Sequence, residues 1–69
     1  MCLSTVYKEI DGKATVVMQD VSQLELKDEG VLLTGMFGEE KFVKGRIQHL
    51  DFLGGKTFLV DTDAPEAHR

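Results

Sequence analysis

The chain has 69 residues, one cysteine and a formal net charge of -4, with 42% hydrophobic and 29% charged residues. That length allows a single small domain, the lone cysteine excludes an intrachain disulfide, and the ordinary balance of apolar and charged residues excludes a disordered chain. Twelve acidic against eight basic residues disfavour nucleic acid as a partner. No apolar run approaches the roughly 20 residues that span a bilayer, and no signal segment opens the chain, so a cytoplasmic protein is expected.

The elements read as short strands separated by turn signals, without sustained helical periodicity. The first strand is expected over Cys2 to Ile10 and closes on Asp11-Gly12, a dipeptide suited to a hairpin. Ala14 to Gln19, β-branched and mostly apolar, is expected to pair with it. A third strand, Gln23 to Lys27, alternates, with Leu24 and Leu26 facing the core. After an acidic turn at Asp28-Glu29-Gly30, Val31 to Phe37 is the most apolar run and the candidate central strand, with Gly35 predicting a bend.

Gly38 with Glu39 and Glu40 forms the next turn, and Phe42 to Asp51 reads as a fifth strand with Gly45 as a bulge or barrel corner. Leu53-Gly54-Gly55-Lys56 is a further hairpin before a last strand, Thr57 to Asp61. Residues 62–69, with the only proline, lack an apolar pattern and read as a tail behind a 1–61 domain. The fold class expected is therefore all-β: one small, strongly bent antiparallel sheet or small β-barrel of about six strands.

Few residues carry chemistry. Gly54-Gly55-Lys56-Thr57 lacks the first glycine of a phosphate loop, since Leu50 stands there, and is better read as a turn. Asp28-Glu29 and Glu39-Glu40 fall in turns and read as solvated charge. His49 and His68 are isolated, and Tyr7 with the four phenylalanines, spread over separate strands, reads as core rather than as a base-stacking platform. No catalytic constellation emerges, so an enzyme is not expected.

Cys2 stands apart because of its position. With Met1 retained, a metal is offered the Met1 amine, the Cys2 amide nitrogen and the Cys2 thiolate. With Met1 removed, the Cys2 amine and sulfur form one chelate ring, and the Leu3 amide is a further donor. Mixed nitrogen and thiolate donors suit nickel(II) or copper(II) and reject magnesium and calcium. The plainer reading of Cys2 is a small apolar residue at the start of a strand.

The opening Met1-Cys2-Leu3-Ser4, followed directly by a strand, resembles the CooT family. The resemblance continues through Asp20-Val21, Leu24-Glu25-Leu26, Glu29-Gly30, Phe37-Gly38-Glu39-Glu40 and Val43-Lys44-Gly45-Arg46-Ile47 to about residue 61. It implies a compact all-β homodimer that binds nickel(II) through the cysteine after the initiator, here Cys2, and serves maturation of a nickel enzyme such as carbon monoxide dehydrogenase. Paired across a two-fold axis, two Cys2 thiolates and two nitrogens would complete four coordination.

Two alternatives follow from the same residues. The opening tripeptide is similar to that of HypC/HupF hydrogenase maturation chaperones, from which Ser4-Thr5-Val6 departs. A small-barrel RNA-binding module would require a basic stripe of Lys8, Lys41, Lys44 and Arg46 on one face.

Overall fold

The structure, a computed structural model, describes residues 3–61; Cys2 and the 62–69 segment expected to be a tail lie outside the described residues. Six strands form one sheet: β1 (Ser4–Ile10), β2 (Lys13–Leu26), β3 (Gly30–Gly35), β4 (Glu40–Lys44), β5 (Arg46–Asp51) and β6 (Lys56–Val60). Their order is β4-β3-β2-β1-β6-β5. No helix occurs among the described residues, so none is long and apolar enough to cross a membrane.

Local chemistry accounts for the turns. Asp11 and Gly12 both take positive φ, 54° and 81°, which matches the right-handed twist of the strands they join, and Ile10 pairs with Lys13 across the turn. The β3 to β4 turn is closed by the Gly35 N–H donating to the Glu39 carbonyl at 2.8 Å. Glu39 Oε1 also accepts the Phe37 N–H at 3.2 Å. Gly35, expected to bend the strand from within, ends it instead.

The second and third expected strands are one. Asp20 adopts φ 56°, and the pairing registers on both sides of β2 skip a residue near it. The extra residue is absorbed as a bulge, so the strand bends sharply where a turn was expected. Its first part pairs with β1 and its last part, from Val21, with β3.

The fifth expected strand is divided at Gly45, whose φ of 143° lies where side chains are strained. A Cβ there would lie 2.7 Å from the Val60 carbonyl oxygen. β4 and β5 occupy opposite edges of the sheet, yet a single residue joins them, so the sheet curls until its two edges meet at Gly45. No ladder links β4 to β5, and the sheet is not closed into a barrel.

The same corner makes the sheet mixed rather than antiparallel. Hairpins reverse the chain between the other successive strands, but β4 runs on into β5 without one. That missing reversal brings β6 back alongside β1 in the same direction, with Val6 opposite Thr57 and Tyr7 opposite Phe58.

Val6, Val21, Val31, Leu33, Val43 and Leu59 are buried, with Val17, Met18, Leu24 and Ile47 packed against them. The aromatic residues, expected in the core, are not there. Val6 and Leu59 point inward, so their neighbours Tyr7 and Phe58 point outward by the two-residue period, half-buried and stacked with ring centroids 5.1 Å apart. Phe37, Phe42 and Phe52 are exposed. Aliphatic side chains line the narrow interior of the curl. Leu26, expected to face the core, is inward by register but exposed at its rim.

Candidate metal site

The start of β1 is held by β6 and the turn before it. Thr5 N–H donates to the Gly55 carbonyl at 2.8 Å, and the Ser4 and Thr57 hydroxyls are 2.9 Å apart. Gly55 has φ 67°, and a Cβ on it would lie 3.2 Å from the Leu3 carbonyl oxygen. These contacts set Leu3, the residue after Cys2, against the turn formed by residues 52–55.

Leu3 is half-buried and lines a cleft of about 180 Å³ with Val21, Leu24, Leu50 and Phe52. Asp51 and Lys56 stand on its rim and oppose each other in the β5/β6 register. The turn beside it is tied internally, since Gly54 N–H donates to Asp51 Oδ1 at 2.9 Å. Gly54-Gly55 thus belongs to a turn, as the missing loop glycine indicated. Nothing in the sequence pattern singled out Phe52 and Leu53, although two large apolar residues immediately before a Gly-Gly turn signal exposed apolar surface.

His49 lies elsewhere. It is exposed on the outer face of β5, its ring 5.8 Å from that of Phe58, in the row of Tyr7 rather than beside Leu3. Asp28, Glu29, Glu39 and Glu40 are exposed in or beside turns. Among the described residues, no group of three or more histidine, cysteine, aspartate or glutamate side chains could hold a metal ion.

The basic side chains do not form one stripe. Lys8 reaches the Gly45 corner, which Lys44 and Arg46 flank in sequence, but Glu9, Asp11 and Asp61 line the same recess as Lys8. Lys41 opposes the buried Leu33 in register, on the inward face, and its Nζ donates to the Val17 carbonyl at 3.5 Å.

The family model described as "CO dehydrogenase accessory protein CooT" matches residues 1–60. The chain belongs to the CooT family. A crystal structure described as a candidate CooT from Carboxydothermus hydrogenoformans superposes with a TM-score of 0.82 at 26% identity, covering 90% of this chain and 100% of that one. No curated protein matches the chain. The CooT match extends through β6 and takes in both the N-terminal Met1-Cys2-Leu3 segment and the turn that holds Leu3.

Proposed function

We propose that this CooT chain is a nickel-binding accessory protein for maturation of a nickel enzyme such as carbon monoxide dehydrogenase, carrying nickel(II) on the Cys2 thiolate of a homodimer. The observation that carries this reading is the family match, which begins at residue 1 and includes Cys2. Near-terminal backbone nitrogens, that of Leu3 among them, complete the donor set. Nickel is cargo, and the protein catalyses no reaction.

Two further observations support the reading. Among the described residues no cluster of metal-binding side chains competes with Cys2 for the ion. Among the described residues nine large hydrophobic side chains are exposed on a domain too small to build a large core, which suits a chain that buries surface against partners. Membership of CooT favours this reading over a HypC/HupF-like chaperone. The interleaved charges around Lys8, and the inward position of Lys41, count against an RNA-binding module.

Titration with nickel(II) tests the proposal. Wild type should develop thiolate-to-metal charge-transfer absorption, and Cys2→Ser should lose both that absorption and tight binding while keeping its far-ultraviolet spectrum, because a hydroxyl does not supply the anionic soft donor. Tight nickel binding retained by Cys2→Ser overturns the assignment.

A further inference from the structure

We infer that the cleft beside Leu3 is filled by Leu53 of a second copy of this chain, in two reciprocal insertions about a two-fold axis. The inference rests on the homodimer of the proposed function and adds to it the surface and the residue that the partner contributes.

Projection and recess lie side by side. Leu53, at the tip of the 52–55 turn, has a relative exposure of 103%, and Phe52 before it 83%. Phe52 also forms a wall of the cleft, with Leu3, Leu24 and Leu50. A patch carrying both a knob and a hole is self-complementary, which is what a two-fold interface requires. At about 180 Å³ the cleft exceeds the roughly 150 Å³ apolar cavity that takes up a benzene-sized molecule, so a leucine side chain is within its capacity.

The backbone of the turn that carries the knob is tied before it binds. The Asp51 carboxylate holds Gly54 N–H at 2.9 Å, and the Gly55 carbonyl holds Thr5 N–H at 2.8 Å, so little loop ordering opposes insertion. Charge is also balanced: Asp51 and Lys56 on the rim bring one charge of each sign, so stacking the patch on its own copy does not accumulate a single sign. The other exposed turn residues, Met36 and Phe37, line neither of the two recesses described above. Because Leu3 is a wall of the cleft, reciprocal insertion draws the two Leu3 residues toward the axis.

Sedimentation of the full chain without nickel tests this. Wild type and Cys2→Ser should both be dimers at micromolar concentration, and Phe37→Ser should remain one. Leu53→Asp and Leu50→Lys should each raise the dissociation constant by roughly a hundredfold or more, since each change is repeated at two contacts. Their far-ultraviolet spectra should be unchanged, both positions being exposed in the protomer. Mixing the two variants should restore dimers, because one contact then pairs the new carboxylate with the new ammonium and the other is native.

A Leu53→Asp chain that sediments as wild-type dimer overturns the inference and leaves Cys2 as nickel ligand standing. Failure of the mixture to dimerise also overturns it. A wild type that stays monomeric with and without nickel removes the homodimer and the inference together, while nickel binding to Cys2 is read separately by the charge-transfer band.

Discussion

Ser4 Oγ and Thr57 Oγ1 lie 2.9 Å apart, a hydroxyl pair that bridges the first and last strands of the sheet. Thr57 is the one polar or charged residue buried among those described, whereas Ser4 is half-buried. The two therefore respond differently to loss of the partner. Ser4→Ala strands the Thr57 hydroxyl and should cost about 1–2 kcal/mol, while Thr57→Val leaves a Ser4 hydroxyl that water can reach and should cost less than about 1 kcal/mol. Urea unfolding should also show the double variant to be less destabilised than the sum of the two.

Gly45→Ala should destabilise the fold by about 2–3 kcal/mol, among the larger effects of any single methyl group added to this chain. The new Cβ meets the Val60 carbonyl at 2.7 Å and demands a φ of 143° that alanine tolerates poorly. Thermal unfolding checks it, and a stability equal to wild type would mean that the corner does not hold the two edges together.

At Asp20, φ is 56° on an exposed residue, so the cost of substitution is set by backbone and not by packing. Asp20→Gly should be neutral or slightly stabilising, and Asp20→Val should lose about 1–2 kcal/mol. Denaturant midpoints of the two variants should bracket that of wild type or place the glycine variant level with it.

Nickel affinity should fall with pH. A cysteine thiol ordinarily ionises at about 8.5 and a terminal amine at about 7.7–8.0, so below both values nickel must displace a proton from every thiol and amine it binds. Affinity should drop by at least roughly a hundredfold per pH unit, with about a further tenfold for each additional thiol, amine or amide proton that the two chains of the dimer release. Competition titrations between pH 6 and 8 measure the slope. His49→Ala should leave the curve in place, because His49 sits on the outer face against Phe58.

Several turns were legible because their chemistry is local, whereas the strand total agrees only because one merger, at Asp20, and one division, at Gly45, cancel. Asp11-Gly12 announces a hairpin in any context, and the alternation around Leu24 identifies a strand. What was illegible depended on relations between distant elements. Asp20-Val21 looks the same in sequence whether Asp20 turns the chain or bulges a continuous strand. That Tyr7 faces outward is decided by Val6 joining Leu59 in the buried core, a relation between the first and last strands of the sheet. The parallel pairing of β1 with β6 follows only once β4 is seen to pass through Gly45 without reversing. Cys2 drew attention through its terminal position and donor chemistry, but the cleft next to Leu3 arises from residues of β1, β2, β5 and the 52–55 turn, which no single stretch of sequence brings together.

The parallel ladder between β1 and β6 also has a temporal side. Thr5 pairs with Lys56 and Glu9 with Val60, so the strand made first waits for the strand made last before it gains its second neighbour. Contacts of such long sequence separation form late, and while the ribosome is still adding residues, at about 5–20 per second, the partner of Thr5 does not yet exist. Whatever depends on how Leu3 is held therefore waits until Gly55, Lys56 and Thr57 have been made.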